Sequence, residues 1–201
     1  MNRRAMTMLP PIRAALAATL LLSAAACSPP AEAPPLAGAA VGGPFTLTDK
    51  AGKRVRWDDF GGRYRIVYFG YSFCPDACPT DVGVMIRGLD RFTRDHPAEG
   101  AQVQPIFITI DPARDTPAVV GQFAAAFSPR LIGLTGSAAE VDQAARAFGT
   151  YYAKGKAVPG GYLMDHSRIA YLMGRKGEPI AMLPVDKGPP AVADELARWV
   201  K

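Results

Sequence analysis

The chain has 201 residues, 49% hydrophobic and 20% charged, a balance that excludes disorder and supports one packed domain with appendages. The formal net charge is +5, but Arg3, Arg4 and Arg13 supply three of those charges, and the +2 left after residue 26 is too little to argue for nucleic acid. Cys27, Cys74 and Cys78 exclude a disulfide-dense scaffold and stand as one close pair with a distant outlier.

Met1 to Arg13 carries the three arginines, and Ala14 to Ala26 is a run of 13 small or apolar residues apart from Thr19 and Ser23. That pattern predicts a secretory signal peptide over 1–26. A permanent span needs about 20 apolar residues, and extending the run backwards meets Arg13, Pro11 and Pro10. The residues Ala24-Ala25-Ala26-Cys27 resemble a bacterial lipobox, whose cysteine is acylated and becomes the mature N-terminus; Ala24 stands where leucine is commonest. The plainer alternative is an ordinary signal peptide cut nearby, with Cys27 a free thiol. Both readings place the protein outside the cytoplasm. Residues 27–44 read CSPPAEAPPLAGAAVGGP, with no periodicity, and predict a tether that holds a domain of residues 45–201 off a membrane.

Phe45–Thr48 and Lys53–Trp57 flank the turn Asp49-Lys50-Ala51-Gly52 and predict an N-terminal hairpin. Arg65–Tyr71 and Val103–Ile110 are near-continuous apolar runs, as expected of strands buried on both faces. Between them Val82, Met85, Ile86, Leu89 and Phe92 repeat at helical spacing after a start at Pro79, Thr80 and Asp81. Asp115-Thr116-Pro117 opens a second helix, Leu131–Leu134 is a short strand, and Ser137 with Glu140 forms a capping box for a third helix. A Gly-rich excursion follows over Lys154–Gly161. Arg168–Met173 and Glu178–Leu183 then predict an antiparallel hairpin, and Ala191–Val200 a closing helix. Strands alternating with helices imply a mostly parallel sheet. The order βαβ then ββα is that of an α/β thioredoxin-like fold, with the N-terminal hairpin as an extension and the excursion as an insertion before the ββα unit.

The chemistry is expected at Cys74-Pro75-Asp76-Ala77-Cys78-Pro79. With Cys78 opening the helix and Cys74 in the loop before it, both sulfurs face one point at the strand's C-terminal end, where sites in open α/β sheets form. The helix N-terminus favours thiolate over thiol. Three intervening residues separate the sulfurs more widely than the two of a redox CxxC motif, which favours a chelate; a structural disulfide in an oxidising compartment stays open on spacing alone. Of the two histidines, His96 ends a helix and has a structural explanation. His166 is expected in the loop leading into the C-terminal hairpin, beside the cysteine helix. Two thiolates and an imidazole suit Cu(I) and also hold Cu(II), whereas structural zinc usually wants a fourth ligand.

Three blocks carry a resemblance: Tyr68 to Thr80 (YFGYSFCPDACPT), Thr109 to Pro117 (TIDPARDTP) and Asp165-His166-Ser167. They resemble, in order, the Sco/SenC family of copper-binding assembly factors, over residues 45–201. The resemblance implies a thioredoxin-like domain that binds one copper through Cys74, Cys78 and His166 and helps build the dinuclear CuA centre of cytochrome c oxidase subunit II, with other copper chaperones as further partners. Many members are anchored by a transmembrane helix, whereas this N-terminus reads as a lipoprotein signal acylated at Cys27, which implies the periplasmic face of a bacterial membrane.

Asp111, Asp115 and Asp165 are candidates for residues supporting the ligands. Asp111-Pro112 also reads as a turn, Asp115 as a helix N-cap, and Asp165 as a neighbour whose side chain points away from His166. Two functional classes follow: a copper-delivery protein without small-molecule turnover, and a thiol-disulfide oxidoreductase in which Cys74 and Cys78 reduce a target disulfide and form their own. A peroxidase is disfavoured, since no threonine stands three residues before a cysteine.

Overall fold

The computed structural model of the chain describes residues 32–201; the predicted signal peptide, Cys27 and the start of the tether lie outside the described residues. In chain order the strands are β1 (Thr46–Thr48), β2 (Arg54–Arg56), β3 (Tyr64–Gly70), β4 (Val103–Thr109), β5 (Ile132–Leu134), β6 (Tyr152–Val158), β7 (Gly161–His166), β8 (Ala170–Met173) and β9 (Pro179–Leu183). The helices are α1 (Ala77–Asp95), α2 (Pro97–Gly100), α3 (Pro117–Ala125), α4 (Ala138–Ala147) and α5 (Pro189–Trp199).

The central sheet has the order β5-β4-β3-β8-β9. The β3–β4 and β4–β5 pairs are parallel, and β8 and β9 add antiparallel to the other side. This is the thioredoxin-like arrangement expected from the order of elements. β4 is buried throughout and β3 from Arg65 onward, because the sheet is covered on both faces. Successive β3 side chains point to opposite faces: the Tyr68 hydroxyl reaches Asp81 on α1 at 2.9 Å, while Phe69 packs on Phe148 just beyond α4. The β1–β2 turn is held by the Asp49 carboxylate, which accepts from the Ala51 and Lys53 amides. The capping box of α4 is present as expected, with Ser137 accepting from the Glu140 amide and Glu140 from the Ser137 amide. Among the described residues no helix is long and apolar enough to cross a membrane.

Two segments differ from expectation. The Gly-rich excursion is a two-stranded hairpin, β6–β7, with an irregular register between Lys154 and Ala157. Lys154, Gly155 and Lys156 break the apolar alternation that would have announced it. The stretch read as a tether lies on the domain from Pro34 onward. Leu36 and Val41 pack against the core, the Leu36 amide donates to the Ile180 carbonyl at 2.9 Å, and the Gly42 amide donates to that of Ala147 at 2.8 Å. Gly42 has φ +96°, and a Cβ there would come within 2.6 Å of the Met173 side chain, so glycine admits the close approach.

Candidate metal centre

The site forms where β3 ends and α1 begins. Gly70 closes β3, Cys74 lies in the loop, and Cys78 is the second residue of α1. A Cβ on Gly70 would stand 3.1 Å from the Cys78 sulfur, so this glycine makes room for the thiol. Cys78 is fully buried and Cys74 half-buried, and both are free thiols. The Cys78 amide, unpaired within the helix as a first-turn donor, points at the Cys74 sulfur at 3.3 Å. A hydrogen bond from the Cys78 thiol, with help from that amide, holds the Cys74 thiol well below its ordinary range, at about 3. The Cys74 sulfur and burial push the Cys78 thiol up. The two thiols are thus driven apart, the outer sulfur toward thiolate and the inner one toward thiol.

His166 is the last residue of β7, not a loop residue as expected. Its Nε2 lies 3.2 Å from the Cys78 sulfur, and its Nδ1 lies 2.9 Å from the Ser167 carbonyl oxygen. A carbonyl only accepts, so in the neutral ring Nδ1 carries the hydrogen and the Nε2 lone pair faces the thiol. The rings of Tyr68 and Tyr71 stand edge-on to the imidazole, with centroids 6.3 and 6.1 Å away, and fix its plane. In this state the three side chains form a hydrogen-bonded cluster; among the described residues no three His, Cys, Asp or Glu side chains are arranged as a ready metal cage.

The three aspartates fall into different places. Asp165 is exposed and takes the strand face opposite His166; the Ser167 carbonyl, not Asp165, orients the ring. Asp115 is not the N-cap of α3, a place that Thr116 takes by accepting from the Val119 amide. Asp115 is fully buried. It accepts from the Ser72 amide at 3.0 Å, the Ser72 hydroxyl and the Thr109 hydroxyl at 2.6 Å, and so pins the loop that carries Cys74. Asp111 accepts from Arg114 at 2.5 Å and from the Tyr162 hydroxyl at 2.8 Å. Arg114 stacks 3.7 Å over the Tyr162 ring and 5.0 Å over that of Phe73, which joins the cysteine loop to the β6–β7 hairpin. His96 caps the C-terminal end of α1, its ring 5.0 Å from that of Phe92, away from the thiols.

The sequence reads Asp81 only as part of a helix start and Arg168 only as the beginning of a strand, neither as a site residue. Asp81 is a buried acid on the apolar face of α1, and it pairs with Arg168, two residues after His166. A charged residue adjoining Val82 on an otherwise apolar stripe was the available signal.

Fold and site together define a thioredoxin-like domain with a Cys-x3-Cys pair at the end of β3 and a late histidine against it. The SCO1/SenC family profile matches residues 33–201, and the chain belongs to this family, as the three sequence blocks implied. It is 42% identical over 139 residues to the human mitochondrial protein SCO1 homolog, covering 69% of this chain and 46% of that one. The chain spans about half the length of the curated relatives it matches. Among solved structures, Bradyrhizobium japonicum ScoI with copper bound superposes with a TM-score of 0.71 at 36% identity, covering 80% of this chain and 99% of that one. BsSco, a member of the Sco family of cytochrome c oxidase assembly proteins in which a disulfide switch was identified, superposes with a TM-score of 0.56 at 25% identity, covering 79% and 94%.

Proposed function

We propose that the chain is a membrane-tethered protein that takes one copper, as Cu(I) or Cu(II), on Cys74, Cys78 and His166 and delivers it to, or prepares, the CuA centre of cytochrome c oxidase subunit II. The observation that carries this reading is the 3.2 Å approach of His166 Nε2 to the Cys78 sulfur across 88 residues of sequence. A thiol pair used only for exchange needs no imidazole lone pair aimed at its inner sulfur; a soft metal does. Two sulfurs and one imidazole match copper, and copper as cargo suits a set open on the Cys74 side, where a partner's ligands can exchange in one at a time. The copper-bound ScoI relative supports the metal, and BsSco supports the oxidase. The address predicted for residues 1–27 puts the domain at the periplasmic face of a bacterial membrane, held by lipid on Cys27.

A second reading is favoured by the unequal exposure of the two thiols. Cys74 is half-exposed and thiolate-like, while Cys78 is buried behind it. In this reading Cys74 attacks a sulfur of the target disulfide, and Cys78 then displaces the second target thiolate, leaving the target reduced and Cys74–Cys78 oxidised. His166→Ala separates the two. Under limiting copper, cells carrying only this variant lose cytochrome oxidase activity if delivery is the function, with protein level checked independently. Full activity there overturns the copper reading and promotes the reductase.

A further inference from the structure

We infer that Met164 is an additional soft ligand at the mouth of this site, a thioether that joins Cys74, Cys78 and His166 in holding bound Cu(I); the inference rests on the copper reading above. Side chains alternate along β7, so Met164 and His166 share one face of the hairpin, paired across β6 with Lys154 and Tyr152. Met164, Cys74 and His166 line the same open cavity of about 390 Å³, floored by Ala77 at the start of α1. The Tyr71 hydroxyl lies near both the Met164 amide and the Cys74 thiol. Met164 is partly buried, packed against the core, and is one of the residues that line the cavity.

The chemistry of a thioether is distinct from that of the three inner groups. It is neutral and carries no proton, so it binds without first losing one, whereas Cys78 must give up its hydrogen. It is soft, and so adds to Cu(I) and contributes little to a harder ion. Its unbranched chain has three rotatable bonds and can adapt to the bound ion. A leucine would line the wall equally well and could not ligate.

Met164→Leu is therefore the discriminating variant, since this exchange conserves volume and is well tolerated in packed sites. On the reduced mature protein, competition with a chromophoric Cu(I) chelator is expected to show a loss on the order of tenfold in Cu(I) affinity, equivalent to about 1.4 kcal/mol, with Cu(II) affinity unchanged. X-ray absorption of the Cu(I) form is expected to count one sulfur fewer than in the parent. Met164→Val, run beside it with thermal unfolding of both variants, guards against a packing effect specific to leucine. Unchanged Cu(I) affinity and sulfur count in both variants, with binding abolished in Cys74→Ala, overturns the thioether role alone. Undiminished copper binding in Cys74→Ala overturns the copper reading itself.

Discussion

Arg168 grips Asp81 with two hydrogen bonds, Nε to Oδ2 at 2.9 Å and Nη2 to Oδ1 at 2.7 Å. The pair joins the first turns of the cysteine helix to the segment that follows His166. Asp81 is buried, Tyr68 donates to the same carboxylate, and Arg168 is about half exposed. Removing the arginine therefore strands a buried charge, whereas removing the acid frees an arginine that water can solvate.

Arg168→Met is accordingly expected to destabilise the fold by about 3 kcal/mol, the low end for a broken buried pair because the arginine already reaches solvent. Asp81→Asn should cost less, since the amide oxygen still accepts from Tyr68. The double variant should recover much of the Arg168→Met loss. Urea denaturation of the four proteins checks this; strictly additive losses would show that the pair is not coupled.

The two thiols should react in a fixed order. Cys74 is half-exposed with its sulfur already thiolate-like near pH 3, and Cys78 is buried and protonated. Since thiolate is the nucleophile and lies above its pKa throughout, the first alkylation should be flat from about pH 5 to 8, whereas an ordinary thiol of pKa about 8.5 loses roughly tenfold per unit of falling pH. Peptide mapping after substoichiometric iodoacetamide should find the label on Cys74. A tenfold fall per pH unit, or label on Cys78, contradicts the proton placement.

The parts of this site that were legible in the sequence are those that depend on local pattern. Apolar runs at β3 and β4 announced buried strands, the helical spacing from Val82 to Phe92 announced α1, and the Cys74–Cys78 spacing placed both thiols at the helix start. What was hidden depends on tertiary meeting. Asp81 reads as a helix-start acid until Arg168 arrives from 87 residues away. Asp115 has the sequence context of an N-cap, yet Ser72 and Thr109 claim its carboxylate. Asp165 adjoins His166 in sequence, but strand alternation turns it to the other face. The docking of Leu36 and Val41 was masked by the prolines, alanines and glycines around them.

Cys27 carries a prediction independent of the site. Cys27→Ser should move the protein from the membrane fraction to the soluble periplasm, while its copper binding per chain stays unchanged, because residues 74–166 hold the proposed ligands. Mass spectrometry of the N-terminal peptide of the parent should find an acylated Cys27. An unmodified peptide spanning Ala26 to Ser28 would falsify the lipid anchor.

Asp115 tests whether the cysteine loop is held from behind. Its carboxylate accepts from both the amide and the hydroxyl of Ser72, two residues before Cys74, and from Thr109 at the end of β4. Asp115→Ala leaves those donors buried without an acceptor, at a cost of about 1 to 3 kcal/mol for each donor that cannot reach water. The Thr109 hydroxyl, fully buried, cannot reach water, whereas Ser72 can recover it by letting the loop swing outward. The variant should therefore lose on the order of 2 kcal/mol in urea denaturation. It should also uncover Cys78, because Cys74, whose sulfur lies 3.3 Å from the Cys78 amide, moves away with the loop. Iodoacetamide should then label Cys78 at native pH, where the parent labels only Cys74. Asp115→Asn keeps one acceptor oxygen and should fall between the two. Equal stability with unchanged labelling in Asp115→Ala would mean that the loop is held by the Arg114 and Tyr162 stack instead.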